Sequence, residues 1–483
     1  MNKLKELILG DYFLYTFPSI FKFFFTFLII VPITTFFLDP EDFGFYALLI
    51  GLTMPIQALG APGSKWLIGG NYFWTSKEKS RNEIIFNTLF FEFFIRSFVI
   101  AIYYIFAETI LFYSIGSYSD SQINLFYILL LSIWLSSLWP TTSFVFIIEK
   151  KVKIYAFISI LQILLNGLVS TICLMVFNLG VETLFFALLV TNFLSLILEI
   201  FFIRNYIYLK LSRNWIKKVF NAFIKSIPGS FAETFMFLME RLLIQKFIGV
   251  YALGIYNHAQ LYQSALKSLT SSLTNSVTAE TLQAFSKNRE KTNTSNELRD
   301  KFNVWLSFLF TTGLGFVFFG DEIISFLTHG KFTEAAMYLP FWILLIFSIT
   351  YGITFAQFLM SQKKMNFLML SQLIPSILAI LIMTTFTKNF GIMVIPLAVL
   401  IANLLTVLSR RIYCSKLGFY VIDEKNYIIL VSLILIALIV DNFFNPSLSF
   451  EVLMFLIFFI PILLINDFLR KICSYLNYNI SQK

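Results

Sequence analysis

Long apolar segments recur along almost the whole of this 483-residue chain. A helix that crosses the roughly 30 Å hydrocarbon core of a membrane needs about 20 consecutive apolar residues. Fourteen such segments can be assigned, and the short polar connections between them leave no room for a soluble domain. Their approximate ranges are 11–38, 42–68, 84–107, 123–148, 154–177, 181–203, 221–247, 250–279, 302–320, 338–360, 367–387, 390–409, 427–443 and 448–466.

The composition supports this interpretation, because 58% of the residues are hydrophobic and only 13% are charged. Soluble domains carry roughly 25% charged residues. We therefore predict an all-α integral membrane protein with about 14 transmembrane helices. The net charge of +9 does not indicate nucleic-acid binding, since most basic residues lie in short loops. Cys173, Cys414 and Cys473 lack metal-ligand or CxxC spacing, so neither a metal site nor a disulfide framework is expected.

The basic residues also predict the orientation of the chain in the membrane. Cytoplasmic loops are enriched in Lys and Arg. If the N-terminus is cytoplasmic and the segments alternate, 27 of the 36 basic residues fall on the inside. The external loops then hold only Lys331 and Lys388. Because Lys22 interrupts the first apolar segment and no small-residue cleavage site follows, we expect a retained helix rather than a signal peptide. Both termini are predicted to be cytoplasmic.

The sequence repeats itself at an offset of 210 residues. Pro18 aligns with Pro228, Gly44 with Gly254, and Tyr46 with Tyr256. An offset of six helices preserves orientation, so the repeats are predicted to be parallel and related by an axis along the membrane normal. We expect an N-lobe of helices 1–6 at residues 1–218 and a C-lobe of helices 7–12 at residues 219–426. Helices 13–14 and a cytoplasmic tail occupy residues 427–483.

Several charged residues lie inside the apolar segments, where they are costly unless they face a cavity or a partner. The basic ones are Lys22, Lys65, Arg96, Lys225, Arg241, Lys246 and Lys267. The acidic ones are Glu92, Glu199, Glu233 and Glu240. Six of the seven basic residues fall in helices 1, 2, 7 and 8, the first two helices of each repeat. This distribution predicts a cationic cavity between the lobes, lined by Lys22, Lys65, Lys225, Arg241 and Lys267.

Other polar residues are candidates to support this cavity. On helix 8, Tyr256, Gln260, Gln263 and Lys267 recur at helical spacing. Further candidates are Gln57 on helix 2 and Arg96 on helix 3, although Arg96 is also spaced to neutralise Glu92. Candidates for ion coupling are Glu233 and His258, with structural hydrogen bonding as the alternative role.

Some of the basic residues have alternative interpretations. Lys65, Lys225 and Lys246 are close enough to helix ends to extend toward lipid headgroups instead. Arg241 is available either to a ligand or to Glu233 across helices.

The two copies of the repeated turn carry a resemblance to a known family. Residues 37–46 read FLDPEDFGFY and residues 247–256 read FIGVYALGIY. They resemble the turn between the first two helices of each lobe in Wzx-type flippases, the polysaccharide branch of the multidrug/oligosaccharidyl-lipid/polysaccharide (MOP) superfamily. Residues 326–340, FLTHGKFTEAAMYLP, are similar to the family's external segment after helix 9. Gly44 and Gly254 are expected to permit a tight turn or a close helix approach rather than to contact substrate.

The resemblance covers essentially the whole chain and implies a MATE-like fold in a bacterial cytoplasmic membrane. It also implies translocation of undecaprenyl-pyrophosphate-linked oligosaccharides, such as O-antigen or capsule repeat units. Lysine and arginine in the cavity suit a pyrophosphate. The expected partners are this lipid-linked substrate, the phospholipid bilayer and polysaccharide polymerase machinery, without nucleic acid. No cofactor is expected, and the coupling ion, H⁺ or Na⁺, stays open.

Three alternatives are weighed against this interpretation. A multidrug exporter of the same superfamily typically has an acid-lined cavity, whereas the embedded charge here is mainly basic. A major-facilitator transporter usually carries a Gly-, Asp- and Arg-rich signature between helices 2 and 3, where this chain reads GNYFWTSKEKSRNE. A membrane polymerase or ligase generally needs a large external catalytic loop, and the external loops here are short.

Overall fold

The computed structural model describes residues 11–60, 63–72, 78–116, 118–287, 296–418, 424–444 and 448–465. Within these ranges the regular secondary structure is helical, with no strand. The first ten residues and the expected tail after residue 465, including Cys473, lie outside the described residues.

The first six long helices lie in the predicted first repeat. Helix α1 comprises Asp11–Phe25, a π-helical turn at Thr26–Ile30, and Val31–Phe37. Helix α2 comprises Pro40–Gly60 and Ser64–Tyr72, and α3 is Glu78–Ile105. Helix α4 comprises Asp120–Leu135 and Trp139–Ile148, α5 is Val152–Met175, and α6 is Glu182–Ile203. A short helix, Ala107–Ile115, joins α3 to α4.

The second repeat begins with the two longest helices, α7 at Arg213–Phe247 and α8 at Val250–Lys287. It continues with α9 (Asn296–Phe318), α10 (Leu339–Ser361), α11 (Met365–Phe390) and α12 (Val394–Lys416). Two short helices, Gly320–Leu327 and Thr333–Tyr338, join α9 to α10. The final pair, α13 (Glu424–Phe444) and α14 (Leu448–Ile465), packs against α9, and α13 also contacts α10.

Length and apolar character allow nine helices of the described part to cross a membrane, or ten if Leu309–Phe318 and Gly320–Leu327 form one bent span. Helices α7 and α8 are long but more polar, because both continue beyond the apolar segments into charged sequence. Large apolar side chains are exposed on the outer faces of α3, α6 and α11, as in Phe94, Ile197 and Ile374. Such an apolar exterior requires lipid rather than water around it. The protein is therefore a multi-pass membrane protein, and the spans are compatible with the expected fourteen.

The two repeated turns meet in a reciprocal contact between α2 and α8. A Cβ atom on Gly44 would lie 2.1 Å from the carbonyl oxygen of Val250, and one on Gly254 would lie 1.7 Å from that of Pro40. Pro40 and Val250 are themselves 210 residues apart, so each turn makes the same contact with the other. The sequence prediction that these glycines allow close helix approach is confirmed. This crossing joins the two repeats at the expected external face.

A second set of contacts reinforces the same face. Thr35, near the end of α1, donates a hydrogen bond from Oγ1 to the carbonyl oxygen of Leu327, 3.3 Å away. Lys331 Nζ lies 2.8 Å from Asp39 Oδ1 and 3.2 Å from the carbonyl oxygen of Phe36. The segment after α9 is thereby attached to the turn after α1.

Candidate functional site

A polar cavity of about 400 Å³ lies inside the first repeat, and we call it the Lys22 cavity. Helix α1 forms one side of the cavity and contributes Pro18 and Lys22. Helix α5 forms another side and contributes Gln162 and Asn166. Ser268 of α8 completes the wall toward the second repeat. Lys22 is exposed within this space and forms no ion pair with another described residue. Its ammonium group is therefore available to an anion.

A second polar cavity, of about 260 Å³, lies inside the second repeat, and we call it the Lys267 cavity. Lys267 and Gln263 enter from α8, Glu233 from α7, Gln372 from α11 and Arg410 from α12. Gln372 donates a hydrogen bond from Nε2 to Glu233 Oε2. Among the described lining residues Glu233 is the only acid, and Gln372 is its hydrogen-bond donor. Lys267 and Arg410 line the same cavity.

Arg410 was missed by sequence reasoning, which placed it in the cytoplasmic segment after helix 12. The structure continues α12 to Lys416, so Arg410 lies within the helix and lines the cavity. Its Nε donates to Ser371 Oγ, 3.0 Å away. Because the apolar segment stops at residue 409, hydropathy alone gave no signal for an Arg inside the helix bundle.

The two cavities correspond through the internal repeat. Gln162 and Gln372 are 210 residues apart, and each lines the cavity of its own repeat. Asn166 pairs with Ser376 at the same offset. The basic residues do not follow this pattern, since position 232, the counterpart of Lys22, is alanine. Polar residues therefore recur at equivalent positions of the two cavities, whereas the basic residues do not.

Helix α8 separates the two cavities. Lys267 lines the cavity of the second repeat, and its chain neighbour Ser268 lines the cavity of the first. One helix, about 10–12 Å across with its side chains, is therefore the partition between them. Phe27 of α1 stacks on Tyr262 of α8 with ring centroids 4.8 Å apart, which holds this partition against the first repeat.

A third cavity, of about 540 Å³, opens at the expected cytoplasmic face, and we call it the lysine vestibule. It is bounded by the end of α2, the start of α7 and the turn from α10 to α11. Its basic residues are Lys218, Lys225, Lys363 and Lys364. Lys225 was expected in a central cavity, and the structure places it here instead of with Lys22 or Lys267.

Arg241 lies in a buried hydrogen-bond network rather than on a cavity wall. Its Nη2 donates to Gln260 Oε1 at 3.0 Å, and Gln260 Nε2 donates to Glu240 Oε2 at 3.1 Å. Tyr256, fully buried, donates its hydroxyl proton to the same Glu240 oxygen at 2.9 Å. Gly51 of α2 makes room for the arginine, since a Cβ atom there would lie 2.4 Å from Arg241 Cδ. Gln260 thus bridges Arg241 and Glu240, which are adjacent on one helix and do not share a face.

A second buried network holds Arg96. Its Nη2 lies 3.5 Å from Glu92 Oε1 on the same helix, as the spacing of four predicts. Thr141 of α4 donates a hydrogen bond from Oγ1 to Glu92 Oε2 at 2.5 Å. Gly60 accommodates the guanidinium, because a Cβ atom there would lie 2.4 Å from Arg96 Nε.

The remaining candidates lie apart from one another. Gln57 and Lys65 are exposed on α2, outside the walls of the Lys22 and Lys267 cavities. His258 is fully buried, with its ring 4.3 Å from that of Phe332 and its Nε2 atom 3.3 Å from the Tyr262 hydroxyl. Of the predicted cavity residues, Lys22, Lys225 and Lys267 therefore line three different cavities. Arg241 lies in a buried network, and Lys65 lines none of the three cavities.

Comparison with known sequences identifies the family. The sequence model of the family described as polysaccharide biosynthesis protein matches residues 35–337, more than half of the chain. The chain belongs to this family. No curated protein matches it significantly.

Solved structures show the fold. The chain is similar to the lipid II flippase MurJ in an inward closed conformation, with a TM-score of 0.64 and 15% identity over 96% of this chain and 98% of that one. It is also similar to an inward-facing multidrug resistance MATE family transporter of the MOP superfamily, with a TM-score of 0.60 and 14% identity over 84% and 95% of the two chains. A MOP superfamily transporter from Pyrococcus furiosus gives 0.63 and 14% over 85% and 97%. These structures confirm the predicted MATE-like membrane fold, and the family match confirms the predicted resemblance to polysaccharide proteins.

Proposed function

We propose that this protein is a flippase that translocates undecaprenyl-pyrophosphate-linked oligosaccharide repeat units across the bacterial cytoplasmic membrane. The glycan would belong to an O-antigen, a capsule or a related surface polysaccharide. Both termini are cytoplasmic in this proposal, as the distribution of basic residues indicates. The protein acts as a transporter, so no covalent chemistry on the substrate is needed.

The observation that carries the proposal is a pair of lysines on polar cavity walls deep in the helix bundle. Lys22 and Lys267 are exposed to their cavities and have no acidic partner in an ion pair among the described residues. A charge held in the membrane without a partner is expensive, so its retention favours a functional role. Amide and hydroxyl groups such as Gln162, Asn166 and Gln263 surround them. A lipid pyrophosphate carries the matching charge, and a sugar carries hydroxyls that bond to amides.

Membership in a polysaccharide biosynthesis family supports this substrate class over a drug. The MurJ title names lipid II, a lipid-linked substrate, for one protein of similar fold. A cationic drug would be repelled by Lys22, Lys267 and Arg410, so the embedded charge also disfavours the multidrug alternative.

The closed crossing of α2 and α8 supports a transport cycle by alternating access. In this structure the two repeats meet at the expected external face and the lysine vestibule opens at the other. Rocking of one repeat against the other would separate the Gly44 and Gly254 contacts and expose the cavities outside. Glu233, held by Gln372 beside Arg410, is our candidate for the ion-coupling group.

The test is complementation of glycan export in a strain that lacks the transporter, at matched protein abundance. Lys22→Ala and Lys267→Ala each remove a charge-assisted bond worth about 1.5–3 kcal/mol, so export should fall at least about tenfold. Lys388→Ala, which removes a lysine from the end of α11 outside all three cavities, is the matched control and should export normally. Normal export by both cavity variants would refute the proposal.

A further inference from the structure

The lysine vestibule brings four lysines together on one concave surface. Lys218 and Lys225 come from α7, and Lys363 and Lys364 from the turn between α10 and α11. The remaining polar lining consists of Asn71, Asn221, Asn366 and Tyr413, so none of the described lining residues is a carboxylate. All four lysines are exposed to the space. Clustered like charges in a concave, partly apolar site focus the field and raise the local concentration of anions.

The geometry of the wall favours an anion with several oxygens. Lys ammonium groups are point donors with three protons each, and the amide groups of Asn221 and Asn366 add neutral donors. Lys218 lies over the Trp215 ring, 4.0 Å from its centroid, which fixes its stem against α7. The volume of about 540 Å³ exceeds what a single small ion needs.

An apolar path leads from the vestibule along the lipid-facing side of α11. Leu370 lines the vestibule. Ile374, Ile377 and Leu381 follow at helical spacing and are exposed on the same helix face. On α7, Phe220 and Ile224 are exposed beside Lys218 and Lys225. A charged headgroup in the vestibule can therefore keep a hydrocarbon chain attached to it within the bilayer.

We infer that the lysine vestibule docks the diphosphate of the lipid-linked substrate before it passes between the two repeats, with the isoprenyl chain lying along α11. This inference rests on the proposed function and adds a first binding site, separate from the Lys22 and Lys267 cavities. The exposed apolar residues of α11 form one continuous line that can contact a single hydrocarbon chain. The lysines of the vestibule provide positive charge for two linked phosphates. The test must also distinguish binding of this diphosphate lipid from binding of an anionic phospholipid.

The experiment measures binding of geranylgeranyl diphosphate to the purified full-length protein in phosphatidylcholine nanodiscs. Lys225→Gln/Lys364→Gln removes one lysine from each side of the vestibule and should weaken binding at least about tenfold. Lys225→Arg/Lys364→Arg keeps the charge and should restore affinity to within about threefold of the wild type. Lys151→Gln/Lys153→Gln, on the same face but outside the vestibule, should bind normally. Geranylgeraniol, which lacks the diphosphate, should not compete.

Three results would overturn the inference: unchanged binding by the Gln pair, equal competition by phosphatidylglycerol, or loss of binding in Lys22→Ala/Lys267→Ala alone. The same variants in the export assay separate this inference from the proposed function. If the Gln pair binds and exports normally while Lys267→Ala does not export, the vestibule inference is wrong and the flippase proposal stands. If Lys22→Ala and Lys267→Ala both export normally, the flippase proposal fails, whatever the vestibule binds.

Discussion

Replacing Gly254 by alanine should force the protein to open at its external face. The added Cβ atom would lie 1.7 Å from the carbonyl oxygen and 2.6 Å from the carbonyl carbon of Pro40. A carbon and a carbonyl oxygen in close contact lie about 3.3–3.6 Å apart, so the two helices would have to separate by roughly 1.5 Å. The obstacle is main chain, which cannot move away by changing a rotamer.

The size of the effect follows from the cost of overpacking. An extra methyl group in a tightly packed interface costs about 1–3 kcal/mol. The penalty applies only to the state in which α2 and α8 touch, so it shifts the equilibrium toward the externally open state by about 5–150-fold. Gly44→Ala should act in the same direction, because its Cβ atom would meet Val250 at 2.1 Å.

The assay is labelling of Ala47→Cys by a membrane-impermeant maleimide in intact cells, in a background whose native cysteines are replaced. Ala47 lies about one turn below Gly44 and is only 1% exposed. Its labelling rate should rise by the factor given above in the Gly254→Ala protein. Gly315→Ala is the matched control, since a Cβ atom there meets nothing within 4 Å. If Gly254→Ala labels no faster than Gly315→Ala, the tight crossing does not hold the external face closed.

Three further predictions follow from other parts of the structure. Cysteines placed in residues 204–218 should be inaccessible from outside intact cells, whereas cysteines in residues 108–116 should be labelled; the reverse pattern would invert the proposed topology. At Lys267, Arg should retain more export than Gln, and Glu should be worse than either, measured by complementation; equal export from all three would exclude a role for its charge. Arg96→Ala leaves Glu92 buried without its cation and should cost about 3–5 kcal/mol, seen as a loss of protein from the membrane fraction. Lys331→Ala, which breaks an exposed ion pair worth about 0–1 kcal/mol, should leave that amount unchanged.

Much of the fold could be predicted from the sequence because a membrane imposes simple rules. Apolar segments of spanning length determined the helices, and the offset of 210 residues located the turn pairs that cross at Gly44 and Gly254. The start of α7 and the end of α8 could not be predicted in this way. Both helices continue beyond the apolar segments into more polar sequence, where hydropathy no longer marks a boundary.

The candidate site was harder to predict because embedded charge has two structural solutions. Lys22 and Lys267 face cavities, whereas Arg241 is buried against Gly51 and hydrogen-bonds to Gln260, which in turn bonds to Glu240. Sequence spacing cannot distinguish these outcomes, since the deciding partner comes from another helix. Gln162 and Gln372 carried a signal that sequence reasoning passed over, because their equivalence appears only when the repeat is extended to helices 5 and 11.

The position of α8 between two cavities also constrains how much room each can offer. Lys267 and Ser268 are neighbours in the chain, and successive residues on a helix are turned by about 100°. The same short stretch of helix is therefore a wall of both chambers at one depth. A lateral displacement of α8 that widens one chamber narrows the other by a similar volume, and a rotation that withdraws Lys267 from its chamber turns it toward the other. The volumes of the two cavities are thus coupled: a bulky ligand that displaces α8 from one cavity reduces the volume of the other.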